Sequence, residues 1–213
     1  MRIRQRIRTI IVGCVLLWPT LLWADELRLS ALPSAPYPSA NAVTSGDADL
    51  IHALARQHTT PKAVGAWLRR EFTFRRDQDI FGEEEHWQAP REFLARKIGD
   101  CEDYALLARE LLVRNGIEAY VFSLFGDEGY AHTVCIFIED GRYNVLNQDN
   151  VRYYRATTLE ALAAQMYPAW TFGGIVEQAG TRGRLVQEIT NPRPAQAAAS
   201  LGELPVSGRN RAR

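Results

Sequence analysis

The chain has 213 residues, room for one ordinary domain and flanking segments. Apolar residues make up 46% and aromatic residues 10%, which supplies a core and excludes a wholly disordered chain. Twenty-five basic residues balance 25 acidic ones, so charge gives no case for a nucleic-acid partner. Three cysteines without a C-x-x-C pair argue against a disulfide scaffold, structural zinc and a redox dithiol.

The balance of charge hides an asymmetry at the front. Arg2, Arg4, Arg6 and Arg8 open the chain with no acidic residue, and the apolar run Ile10 to Ala24 follows. A basic start, an apolar stretch and a small residue at its end describe a secretory signal over residues 1–24, with cleavage after Ala24. The run is short against the roughly 20 residues of a spanning helix, and an uncleaved inner-membrane anchor is the alternative. Too little apolar sequence precedes Cys14 for a lipoprotein signal. Without those four arginines, 21 basic residues face 25 acidic ones and the net charge is −4. The expected location is periplasmic or secreted.

Residues 25–46 read as a linker, rich in Pro, Ser and Ala from Ala31 onward. Leu50, Ile51, Leu54 and Ala55 fall at helical spacing within Asp47–His58. Thr60-Pro61 supplies an N-cap and a first-turn proline for a helix through about Phe72. Asp77 to His86, with Glu83-Glu84-Glu85, reads as a solvated loop. A short helix starts at Pro90 and ends near Ile98-Gly99, and a stronger one runs from Cys101 to Asn115, stopped by Gly116.

Beyond Gly116 the period changes to that of strands. Ile117–Phe125, His132–Ile138 and Arg142–Leu146 are strand-like, and Asp140-Gly141 is a hairpin turn signal. Thr157-x-x-Glu160 reads as a capping box for a helix through Met166. Ala169 to Ile189 predicts further strands with a bend at Gly173-Gly174. Residues 191–213 read as a disordered tail. Helices first and antiparallel strands afterwards indicate an α+β domain over 47–190.

The helix at Cys101 carries the chemical signal. Asp100 stands at its N-cap, Cys101 at the first helical position, and Asp103 is placed to reach back. Cys101, Tyr104, Ala105, Ala108, Leu111 and Leu112 share one face, and Glu102 is predicted to lie off it. A thiol at a helix N-terminus meets the positive end of the macrodipole and free N–H groups, which favour thiolate. Asp100, Glu102 and Asp103 oppose it, so a nucleophile here needs a cationic partner. His132 opens the strand H-T-V-C-I-F-I and supplies one. Across the Asp140-Gly141 turn, Asn147 falls beside His132 if the hairpin is tight, and Asp149 points the same way if the strand continues.

The segments W-Q-A-P-R-E-F-L-A-R-K-I-G-D-C-E-D-Y-A-L-L-A, A-H-T-V and Y-N-V-L-N-Q-D-N resemble the transglutaminase-like superfamily. Within it they are most similar to the exported bacterial transglutaminase-like cysteine proteinases. The resemblance spans roughly Val64 to Tyr154. It implies a papain-like α+β core, helices packed on an antiparallel sheet, with Cys101 as nucleophile and His132 as base. The third position departs from the family's usual Asp: Asn147 stands there, and Asp149 is the alternative. Some relatives require calcium beside the active site, which makes Asp100 and Glu102 candidate ligands; the chemistry itself needs no cofactor.

Two functions follow as expectations. One is an exported cysteine peptidase acting on peptide or isopeptide bonds, with transglutaminase-type amine transfer as its variant. The other is a transglutaminase-like module that binds without catalysing. The expected partner is a protein or peptide substrate, with no nucleic acid, membrane contact only through an uncleaved N-terminus, and a monomeric state. Trp87 is expected to brace the loop before Cys101 or to wall the substrate cleft. Cys135, three residues from His132, belongs to the opposite sheet face and the core. His52 and His58 are structural or surface residues, and Glu83 to His86 is a solvated run rather than a metal site.

Overall fold

A computed structural model describes residues 45–192. The expected signal segment and almost all of the expected linker and tail lie outside the described residues. Helices α1 (Ser45–Gln57) and α2 (Pro61–Glu71) come first, α2 capped by the Thr60 hydroxyl, which accepts the Ala63 N–H at 3.1 Å. The two-residue strand β1 (Thr73–Phe74), the short helix α3 (Asp77–Ile80) and helix α4 (Pro90–Arg96) follow. Strand β2 (Ile98–Gly99) pairs in parallel with β1 immediately before helix α5 (Cys101–Arg114).

The rest is one antiparallel sheet with a helix inserted. Strands β3 (Ala119–Gly126), β4 (Ala131–Glu139), β5 (Arg142–Asn147) and β6 (Asn150–Ala156) lead into α6 (Leu159–Met166). Strands β7 (Trp170–Ala179) and β8 (Arg182–Thr190) close the domain, and the sheet order is β6-β5-β4-β3-β7-β8. Asp140 and Gly141 both take positive φ, 53° and 66°, which gives the β4–β5 turn the twist of a tight hairpin.

Alternation along the strands splits the apolar side chains between two layers. Val121, Cys135, Phe137, Leu146 and Val176 pack against α5 and the helices around it. Their neighbours Phe122, Val134, Ile136, Val145 and Ile175 are equally buried and fall on the other face, where α6 contributes Leu159 and Leu162. Within α5, Leu107, Leu111 and Leu112 are fully buried, each contributing about 1.5–3 kcal/mol of apolar burial. The fold is therefore α+β, with helices packed on an antiparallel sheet.

The structure departs from the sequence pattern in four places. Asp77–His86 is not wholly a solvated loop: Asp77 starts α3 and is buried, accepting the His86 backbone N–H. Residues 150–156 form an edge strand that periodicity does not reveal, because most of its side chains are exposed. Gly173-Gly174 is no bend but lies inside β7, where a Cβ on Gly174 would overlap the Gln187 carbonyl of β8. The α6 N-cap is Thr158, whose hydroxyl accepts the Ala161 N–H at 3.1 Å, one residue later than the Thr157 box.

That last difference is directly testable. Thr158→Ala should lower unfolding free energy in urea by about 1 kcal/mol, the usual worth of an N-cap, whereas Thr157→Ala leaves it nearly unchanged. Equal losses from the two variants would return the cap to Thr157.

Candidate active site

The N-terminus of α5 is held by one carboxylate. Asp103, at the third helical position, accepts the Asp100 backbone N–H at 3.2 Å and completes a capping box with the Asp100 side chain. It also accepts the Gln88 backbone N–H at 2.8 Å and the Gln88 side-chain N–H at 2.6 Å. Gln88 is fully buried and gives its second amide hydrogen to the Ile98 carbonyl at 3.0 Å. Between these groups lies Gly99. A Cβ there would collide with the Asp103 carboxylate, with Gln88 Nε2 at 2.7 Å and with the Phe93 ring at 2.8 Å.

Cys101, Asp100, Glu102, His132 and Gln148 line one cleft of about 800 Å³, whose floor includes Ser123 and Thr133. The Cys101 thiol donates to Glu102 Oε2 at 3.3 Å, and the Thr133 backbone N–H donates to the sulfur. Glu102, off the apolar face of α5 by its helical position, is nevertheless only 2% exposed, covered from the side of Asp77. Burial, and then the Glu102 charge, push the thiol well above its ordinary range. The helix terminus favours thiolate, yet burial among acids outweighs it in the protein alone. Burial and then Asp100 raise Glu102 to about 11, and burial raises Asp103 to about 7 against the N–H groups it accepts.

The β4–β5 hairpin carries the base. His132 Nε2 lies 2.9 Å from Asn147 Oδ1, at the open end of two strands that pair from Cys135 opposite Leu146. Gln148 takes a positive φ of 52° and ends the strand, so Asp149 does not continue toward the imidazole. Instead Arg69 on α2 donates to the Asp149 carboxylate at 2.8 Å and to its carbonyl at 3.3 Å. Asn147 meets His132 and Asp149 does not. Cys135 is fully buried in the α5-side core, and both described cysteines are free thiols.

Trp87 stands in the loop before α4, at one wall of the same cleft. It lines the cleft but is only 3% exposed, with its indole N–H donated to Glu85 and its ring packed over Gly183. The Trp87 backbone N–H reaches the Thr181 carbonyl at 3.0 Å, and Gln178 returns a bond to the Trp87 carbonyl at 3.0 Å. These contacts clamp the loop before α4 onto the β7–β8 hairpin.

Sequence reasoning missed Asp77, Gln88 and Thr133, none of which stands in a local motif. Ligand atoms of Asp77, Asp100 and Asp103 lie within 4.8 Å of one another, as do those of Asp100, Cys101 and Glu102. Three buried oxygens in this cluster, Asp77 Oδ1, Asp100 Oδ1 and Glu102 Oε1, meet no N–H or hydroxyl donor, and the carboxyls are left to bond one another through a proton on Glu102. Oxygen-rich, acidic and short of donors, the cluster suits a hard divalent cation.

Residues 37–167, more than half of the chain, match the family model of the bacterial transglutaminase-like cysteine proteinases (BTLCP). Among solved structures, Legionella pneumophila LapG treated with EGTA is 19% identical, over 61% of this chain and 73% of that one, with a TM-score of 0.41. Calcium-bound LapG of the same organism is 20% identical, over 66% of this chain and 80% of that one, also at 0.41. No curated protein matches.

The crowding at Gly99 sets a stability test. Gly99→Ala should cost about 2 kcal/mol or more, lowering the melting temperature by roughly 4–8 °C for a domain of this size. An unchanged melting curve would mean that Asp103 and Gln88 do not hold this geometry.

Proposed function

Because the chain belongs to the bacterial transglutaminase-like cysteine proteinase family, we propose that it hydrolyses a peptide or isopeptide bond with Cys101, His132 and Asn147. Family membership makes it a cysteine peptidase of transglutaminase-like type. The observation that carries the residue assignment is the His132–Asn147 hydrogen bond at the rim of the cleft holding Cys101.

With Nε2–H donated to Asn147 Oδ1, a neutral imidazole presents Nδ1 as its proton acceptor. His132 takes the thiol proton, and the Cys101 sulfur attacks the acyl carbonyl. The Cys101 backbone N–H, in the first turn of α5 and free of an intrahelical partner, helps hold the oxyanion. Imidazolium then protonates the leaving amine, and water releases the acyl group. Amine transfer differs only in that last nucleophile; the proteinase family favours water. A second reading, a module that binds without turnover, is supported by the thiol donating its hydrogen bond to Glu102 rather than to the imidazole.

The substrate is a protein or peptide, and the chain acts as a monomer. Export is supported by the basic start and the apolar run Ile10 to Ala24. Among the described residues no helix is long and apolar enough to cross a membrane.

Calcium fits the acidic cluster, where Asp77, Asp100 and Glu102 would hold it with hard oxygens that lack N–H or hydroxyl donors. Bound there, it supplies positive charge beside the thiol and offsets the carboxylates that hold the proton on sulfur.

Iodoacetamide labelling read by intact mass tests the pair. Wild type should label at Cys101, Cys101→Ala should lose that adduct, and His132→Ala and Asn147→Ala should gain it at least about tenfold more slowly. Asp149→Ala, which removes only an exposed ion pair, should label at nearly the wild-type rate. Equal rates in wild type and His132→Ala would remove the coupled pair.

Calcium binding has a pH signature. Burial raises the Asp77 carboxyl and lifts Asp103 to about 7, so protons compete with the cation as the pH falls, while Glu102, raised to about 11, must give up its proton when the cation binds. Millimolar calcium should therefore raise the melting temperature more near pH ~8 than near pH ~5. Glu102→Gln should abolish most of that shift, and an undiminished shift in that variant would place the ion elsewhere.

A further inference from the structure

We propose that Tyr130 is a positioning residue whose ring fixes the rotation of the His132 imidazole; the inference rests on the Cys101–His132 pairing proposed above. One hydrogen bond restrains an imidazole without fully orienting it. Nε2 lies closer than Nδ1 to the extension of the Cβ–Cγ bond, so turning the ring about that bond moves Nε2 less. The same turn swings Nδ1 through a wider arc, and this side-chain torsion is intrinsically broad. The contact with Asn147 at Nε2 therefore anchors the far end of the ring and leaves play in where Nδ1 points.

A second contact is needed on the ring itself, and Tyr130 makes it. Its ring stands edge to face with His132, centroids 6.4 Å apart and planes at 67°. Tyr130 cannot swing away, because its ring is stacked on Tyr167 at 4.0 Å and 12°. Tyr167 caps the C-terminus of α6, and its own ring fills the space above Gly126, where a Cβ would meet it at 2.5 Å. The backbone under Tyr130 is equally constrained. The Gly126 N–H donates to the Tyr130 carbonyl at 2.9 Å, and the Tyr130 N–H closes the short 3-10 turn onto Asp127 at 3.1 Å. Among the described residues the Tyr130 hydroxyl makes no hydrogen bond, so it is the ring that acts. A packed line thus runs from α6 through Tyr167 and Tyr130 to the imidazole, from the sheet face opposite α5.

The test compares iodoacetamide alkylation rates of Cys101 in the full chain, with calcium present and at one fixed pH. Tyr130→Leu, which keeps apolar bulk but loses the ring, should slow alkylation about tenfold, in the direction of His132→Ala. Tyr130→Phe should restore the wild-type rate, which a lost hydroxyl contact would not allow. Tyr167→Leu, which removes only the backstop, should slow it by a smaller factor and carries the test if Tyr130→Leu does not fold. A wild-type rate in folded Tyr130→Leu beside a slow His132→Ala would overturn the inference and leave the pairing standing. So would Tyr130→Phe as slow as Tyr130→Leu. A wild-type rate in His132→Ala would remove the pairing and this inference with it.

Discussion

The Asp103 carboxylate is the constraint on which the site depends. A buried carboxylate is costly unless its oxygens are met by donors, and Asp103 collects three: two from Gln88 and one from the Asp100 backbone. Those donors come from different segments, the entry to α4 and the N-cap of α5. Satisfying one side chain therefore fixes the place where α5 starts. Gly99 is the consequence, since only a residue without Cβ leaves Asp103 and Gln88 room to meet. Trp87, next to Gln88, extends the same clamp to the β7–β8 hairpin.

Holding α5 in this way gathers acids around the nucleophile. A helix N-terminus favours a nearby anion by about 0.3–1 kcal/mol at an exposed site. The forces against thiolate are burial and the adjacent Glu102, and the Cys101 proton is donated to that carboxylate. Three oxygens without an N–H or hydroxyl donor in the same cluster leave the electrostatics incomplete for the polypeptide alone. Arg76 and Arg182 line the wider cleft, but the acids beside the thiol call for positive charge next to the sulfur. His132 brings one charge when protonated, and a divalent cation among the carboxylates brings two.

The readable parts of this structure were those decided by local chemistry. Thr60-Pro61 announces α2, Asp100 and Asp103 announce α5, and Asp140-Gly141 sets a hairpin that leaves His132 and Asn147 on one face, diagonal to each other rather than level. The unreadable parts were decided by distant partners. Asp149 differs from Asn147 because Arg69, 80 residues earlier, claims it and because Gln148 turns the chain first. Strand β6 escaped notice as an edge with mostly exposed side chains, and Gly173-Gly174 mimicked a bend because close strand approach also selects glycine. Helical period puts Glu102 off the apolar face and says nothing of its burial, which comes from the loop carrying Asp77. Periodicity counts positions around one helix and is blind to a loop arriving from 25 residues away.

These electrostatics also explain why asparagine is adequate at position 147. An aspartate facing a catalytic imidazole does two things: it orients the ring, and it stabilises imidazolium by charge. Anchoring Nε2 and fixing its tautomer need only an acceptor, and Asn147 Oδ1 provides one at 2.9 Å. Acidic groups are already present, since Asp100 and Glu102 line the same cleft. Another carboxylate on the far side of His132 would deepen the negative field that holds the proton on sulfur. A neutral amide orients the base without adding to that field. The burden on ring orientation then falls on geometry alone, and the sheet meets it from both layers. Helix α5 presents the nucleophile from one face, while α6 steadies the surroundings of the base from the other.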